Sequence, residues 1–298
     1  MILIGYHRPV LQEKVLELLQ VKPGQIFIDA TIGRGGYTLE ILKRQGIVIG
    51  IDSDQESIEY LKGVLEEYEK KNQLFLFNGS YSHISDYPKL AGFKKVHGII
   101  FDLGLSSYQL ERSKRGFSYL KDEPLDMRFD QKGNQTARDI LNNYTERDLY
   151  EIFTKNSEEL NSRPIAHAVV RARSLRKGIN STSELNRVVK DVVKTKESRY
   201  LYQILGRIYQ ALRIEVNREF ENLNTGMTQA IELLVQNGRL IVLSYHSLED
   251  RLVKTKLEYA KSNGKIRLLT KKPLVPDYIE IRTNSRAKSA KLRAAEKI

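Results

Sequence analysis

Three carboxylates stand at the ends of short apolar runs: Asp29 after "QIFI", Asp52 after "IVIGI" and Asp102 after "GIIF". Tyr81 follows another such run, and Tyr245 and His246 close a last one. Between Asp29 and Asp52 lies a glycine-rich stretch, "GRGG", with Gly33, Gly35 and Gly36. Glycines there permit tight turning and close approach of backbone to a ligand. Asp52, 19 positions after Gly33, stands where an acidic side chain hydrogen-bonds ribose hydroxyls. Together these residue types describe a nucleoside-binding site.

The loop is not G-x-G-x-x-G, the dinucleotide pattern. Asp29 at its entrance would repel a pyrophosphate and attract a cationic ligand. A sulfonium carrying an α-amino group meets that condition, so S-adenosylmethionine is favoured over NAD. Asp102 then has two readings. It accepts hydrogen bonds from an exocyclic amine, localising the lone pair for attack on a methyl group, or it only positions the cofactor or caps a turn. His246 and Glu249 in "SYHSLEDR" (244–251) invite acid–base chemistry, or they begin a helix. Five His residues, none in metal-ligand spacing, and no Cys predict no metal site.

These residues need a frame that brings strand ends together. Five apolar runs rich in β-branched residues, at 25–30, 47–52, 74–79, 98–104 and 239–246, read as buried strands of a parallel sheet. Helical periods alternate with the first four, as in "TLEILKRQ" and "ESIEYLKGVLEEYEKK". That is a doubly wound α/β domain, in which ligands sit beyond the carboxyl ends of the strands. About 135 residues separate the fourth run from the fifth, too many for a single crossover. They hold helical patterns of their own, one opened by the cap-type residues Ser181 to Glu184. The expected organisation is a first part over 1–108, an inserted helical domain over 109–205 for substrate recognition, and a second part over 206–298. "QALRIEVNREFENLNTGMTQAIELLVQ" (210–236) reads as one helix returning to the sheet, and "KIRLLT" and "YIEIR" as two late strands forming an edge hairpin. "RGFSYLKDEPLDMRFD" (115–130) reads as a cleft wall or lid, or as a structured linker.

The net charge is +12, and eleven Lys/Arg against three Asp/Glu fall between Lys261 and Ile298. Such a segment is a phosphate-facing surface or a solvated tail. No run approaches the roughly 18 apolar residues of a membrane span, and the start lacks a signal-peptide pattern. A cytoplasmic protein is expected.

In their order and spacing, "HRPVL" (7–11), "DATIGRGGYT" (29–38), "GIDSD" (50–54), "DLGLSSYQL" (102–110), the 115–130 segment, "QALRIEVNREF" (210–220), "SYHSLEDR" and "NSRAKSAKLRAAEK" (284–297) resemble the MraW family. These are bacterial 16S ribosomal RNA (cytosine) N4-methyltransferases. The resemblance implies a Rossmann-like S-adenosylmethionine-dependent methyltransferase fold with a helical insert. It implies methylation of a cytosine in the decoding region, with 16S rRNA or the small ribosomal subunit as partner. It also implies cofactor contacts at Gly35, Gly36, Tyr37, Asp52, Tyr81, Asp102 and Gln109. Tyr37 replaces the family's usual His, Tyr81 a frequent Phe, and "QILGR" (203–207) its "HPATR". Two other classes use the same features: a non-catalytic RNA-binding or assembly factor, and a DNA amino-methyltransferase.

Overall fold

The structure is a computed structural model that describes residues 9–298 apart from 177 and 196. His7 and Arg8 of the "HRPVL" motif lie outside the described residues. Seven strands form one sheet: β1 (Ile26–Asp29), β2 (Ile47–Asp52), β3 (Leu74–Asn78), β4 (Val96–Asp102), β5 (Leu234–Ser244), β6 (Ile266–Leu268) and β7 (Lys291–Lys297). Their order is β3-β2-β1-β4-β5-β7-β6. The first five pair in parallel, β7 runs antiparallel to β5, and β6 antiparallel to β7. The order reverses between β1 and β4, which is the switch point of a doubly wound sheet.

By its contacts the chain forms two compact units, residues up to Gly104 with Phe220–Ile298, and Leu105–Glu219. In the sheet unit both faces are covered, which is why the strands read as unbroken apolar runs. Along β1, Phe27 enters a core with Val15, Ile41 and Leu61, and Ile28 enters the opposite one with Leu223, Met227 and Leu257. The other unit is helical, with Leu149, Phe153, Ile165, Leu185 and Ile208 fully buried at its centre. Its helices Ala137–Asn143, Glu146–Ser157 and Thr182–Val193 open with capping boxes, Thr136/Asp139, Thr145/Asp148 and Ser181/Glu184. The 115–130 segment belongs to this core through Phe117, Leu125 and Met127. Arg115 stitches it by donating to the carbonyls of Arg128 and Phe129.

Three elements depart from the sequence expectation. The helix expected over 210–236 is two, Ser198–Asn217 and Glu219–Leu233, broken at Arg218 in the left-handed region (φ 49). Asn217 is held by Phe129 N–H and the Met127 carbonyl, and Arg213 grips Glu219 with two bonds, so tertiary contacts fix the turn. "ESIEYLKGVLEEYEKK" likewise splits, into Gln55–Val64 and Glu66–Lys70. "YIEIR" is no strand but lies in the helix Tyr278–Thr283, started by Asp277, whose carboxylate accepts from Glu280 N–H at 2.7 Å. The strand that pairs with β6 is β7, drawn from the basic C-terminal stretch.

The cations of β7 are therefore paired with carboxylates of the same unit. Arg293 makes two bonds to Asp250, at 2.6 and 3.1 Å, with both side chains nearly buried. Glu296 sits between Arg239 and Arg267. Removing one member of such a pair leaves a charge buried without its counterpart. Asp250→Ala is expected to lower unfolding free energy by about 3 kcal/mol, read as a reduced urea midpoint at unchanged slope. A midpoint equal to the parent's would show the pair to be solvated.

Candidate active site

The parallel register carries the carboxyl ends of β1, β2 and β4 to one edge of the sheet. Asp29, Asp52 and Asp102 are the last residues of those strands. Gly33 follows β1 with φ 50, a conformation that Gly adopts without the Cβ penalty. Its N–H donates to Asp52 Oδ2 at 2.8 Å. Asp52 Oδ1 accepts from Asp54 N–H at 2.8 Å, while Asp54 caps the following helix at Glu56. Asp52 is thus rigidly aimed, and each oxygen retains a further lone pair to offer.

Gly35 caps the helix Gly36–Lys43. At Gly36 a Cβ would come within 2.3 Å of Pro9 Cγ, so the start of this helix is closed to larger residues. Tyr37 is 3 % exposed, and its hydroxyl donates to the Val10 carbonyl at 2.5 Å. The ring expected at the cofactor lies in the core cluster with Ile41 and Ile100. Tyr81, in the turn after β3, sets its ring edge against Phe101 at 5.5 Å. Gln109 belongs to the helical unit, where it is buried and completes a capping box with Ser106.

Asp29 is fully buried. Its Oδ2 accepts from Thr38 Oγ1 at 2.8 Å, and its Oδ1 has no hydrogen-bond partner. Asp102 Oδ1 accepts from Tyr245 Oη at 2.6 Å, and its backbone N–H donates to Thr31 Oγ1 at 2.7 Å. Thr31 and Thr38 are the site-forming groups that strand-end reasoning passed over, whereas Tyr245 was singled out there without a partner. The signal for the threonines was their place at either end of the glycine stretch. His246 caps the helix Ser247–Ser262, its Nδ1 accepting from Glu249 N–H. Its Nε2 lies 3.0 Å from Glu249 Oε1 but forms no hydrogen bond with it. Glu249 Oε2 accepts from Tyr245 N–H. Of the two readings of "SYHSLEDR", the helix start describes the geometry.

Loss of hydration raises the pKa of Asp29 and of Asp52 to about 7, and that of Asp102 to about 6. Tyr245 opposes the rise at Asp102, and the charge of Asp102 adds to it at Asp29. A carboxyl whose folded pKa lies above its unfolded value binds more protons folded than unfolded. Its contribution is complete below about pH 4 and is lost as pH rises towards 7. Asp29, with no solvent contact, dominates this loss. Asp29→Asn does not titrate, so its melting temperature should differ less between pH 5 and pH 8 than the parent's. Equal differences would mean that Asp29 is ionised throughout.

A parallel sheet with a glycine loop after β1, an acidic residue closing β2 and another closing β4 defines a nucleoside-binding enzyme of the Rossmann-like class. The chain belongs to the MraW methylase family, whose model matches residues 5–298. It is 40 % identical to the ribosomal RNA small subunit methyltransferase H of Natranaerobius thermophilus, over 98 % of each chain. It is also 40 % identical to the protein of that name from Persephonella marina, over 98 % of this chain and 99 % of that one. A solved structure described as an rRNA methylase from Streptococcus thermophilus matches 96 % of this chain and 93 % of that one, at 11 % identity and a TM-score of 0.45. Among the described residues no helix is long and apolar enough to cross a membrane, and no group of three His, Cys, Asp or Glu could hold a metal ion.

Proposed function

We propose that this protein transfers a methyl group from S-adenosylmethionine to the N4 amine of a cytosine in the decoding region of 16S rRNA, within the small ribosomal subunit. The observation that carries the reading is the row of carboxylates Asp29, Asp52 and Asp102 at the switch point, on a chain of this family. The residues fit the cofactor. Asp29 Oδ1 is a buried acceptor lacking a donor, and an α-amino group supplies one. When bound, S-adenosylmethionine supplies an electrophilic methyl group on a sulfonium.

The chain's own residues do the rest. Asp52 accepts from ribose hydroxyls with the lone pairs that Gly33 and Asp54 leave over. Gly33, Gly35 and Gly36 present their backbone to the ligand, with Leu61 and Pro9 packed where a Cβ of Gly35 or Gly36 would stand, and Tyr81 packs beside the ligand. Tyr37 supports the loop from behind, through Val10. Asp102, oriented by Tyr245, accepts a hydrogen bond from the cytosine amine and concentrates its lone pair on nitrogen. The helical unit, with Gln109 at its start, recognises the RNA. Incubating purified small subunits from a strain deleted for this gene with labelled S-adenosylmethionine tests the reading. Label mapped to N4 of one decoding-region cytosine is the expected result. Label in DNA alone, or none, would refute it.

A further inference from the structure

The basic C-terminal stretch divides into two parts with different roles. The cations of β7 are spent on Asp250 and Glu232, among them Arg293, Lys291 and Lys297. The segment before it, residues 271–288, keeps its charge outward. Lys271, Lys272, Arg282 and Lys288 are exposed and form no ion pair among the described residues. Its two carboxylates are turned to backbone: Asp277 accepts from Glu280 N–H, and Glu280 accepts from Leu11 N–H at 2.6 Å.

Amid these cations an aromatic ring is exposed. Tyr278 is 73 % exposed, with the Arg282 guanidinium 5.8 Å from its ring centre. An exposed ring among unpaired cations suits an unpaired base flanked by phosphates: the ring stacks, and the cations displace counterions. The segment is also anchored. Leu274 and Leu292 exchange backbone bonds at 2.9 and 2.8 Å. Glu280 holds Leu11, Val10 accepts from Tyr37, and Pro9 closes on Gly36, so three consecutive residues tie this helix to the start of the helix Gly36–Lys43 that follows the glycine loop.

We propose that residues 271–288 bind single-stranded RNA beside the nucleotide to be methylated, with Tyr278 as the stacking platform. The proposal deepens, and rests on, the RNA reading above. Its test is fluorescence anisotropy with a labelled, cytosine-containing single-stranded RNA and, separately, with small subunits. The variants are Tyr278→Ala and the pair Lys271→Glu with Lys272→Glu. Tyr259→Ala, equally exposed on the helix Ser247–Ser262, serves as control. Melting temperature and affinity for S-adenosylmethionine report that each variant is folded.

Tyr278→Ala should weaken RNA binding roughly 10-fold. The lysine pair should make the slope of log affinity against log salt shallower by about 1 to 1.5. Tyr259→Ala should match the parent. If the parent binds RNA and methylates subunits while all variants equal it, this surface is overturned and the function stands. RNA binding unchanged but subunit binding weakened would assign the surface to an acidic protein face, and overturns the RNA assignment. A parent that neither binds RNA nor methylates subunits overturns both.

Discussion

Asp102→Asn is expected to lower kcat for cytosine methylation by roughly 10²–10³-fold while leaving affinity for S-adenosylmethionine within a few-fold. The exocyclic nitrogen of cytosine is a poor nucleophile because its lone pair is delocalised into the ring. A carboxylate that accepts its N–H bonds helps in proportion to its negative charge and to how little it must reorient. Asp102 meets both conditions: Tyr245 Oη binds one oxygen at 2.6 Å, and Thr31 Oγ1 fixes the backbone. The amide keeps the shape and removes the charge, so the loss should appear in single-turnover rate rather than in KM. The pH profile adds a second readout. In the proposed role Asp102 acts only when ionised, so kcat should fall below about pH 6. Tyr245→Phe removes the hydrogen bond that opposes protonation, and its acid limb should therefore move to higher pH. Wild-type kcat in Asp102→Asn would remove this residue from the chemistry. An unmoved limb in Tyr245→Phe would restrict the tyrosine to packing.

Asp52→Ala should weaken S-adenosylmethionine binding by about 100-fold, close to 2.7 kcal/mol. Two losses add. In the proposed site the ribose hydroxyls lose a charged acceptor, a bond of roughly 1.5–3 kcal/mol. The glycine loop also loses its brace, since Gly33 N–H and Asp54 N–H both end on this carboxylate. S-adenosylhomocysteine has the same ribose and no sulfonium, so calorimetry should show a similar loss for both ligands. A loss confined to S-adenosylmethionine would mean that Asp52 reads the sulfonium charge instead. Unchanged affinity for both would exclude it from the ribose site.

Much of this site is legible before any fold is known, because residues at strand ends converge in a parallel sheet whatever their separation along the chain. That Asp29, Asp52 and Asp102 share one edge of the sheet follows from position alone. The packing of Tyr37 does not. The family's residue there suggests a side chain towards the ligand, yet the tyrosine is buried and bonds Val10. Its direction depends on Pro9 and Val10 crossing the start of the helix Gly36–Lys43, a contact between segments that no local pattern encodes. The same holds at "YIEIR", whose alternation imitates a strand. Asp277, followed three residues later by Glu280, is a helix-start signal that alternation obscured.

By itself the sequence determined the alternation of strand and helix, the glycine turn, the strand-end carboxylates and the presence of a helical insert. Each is a local matter of periodicity or backbone freedom, settled over a few residues. Only the tertiary structure decided which cations are free. "KLRAAEK" carries charges and two alanines, and nothing local makes it a strand. It becomes β7 because the edge of β5 offers unpaired backbone groups, and Asp250, Arg239 and Arg267 wait there to neutralise its charges. Hydrogen bonding and charge compensation between distant segments thus place some of the basic residues in the sheet and leave those around Tyr278 facing solvent.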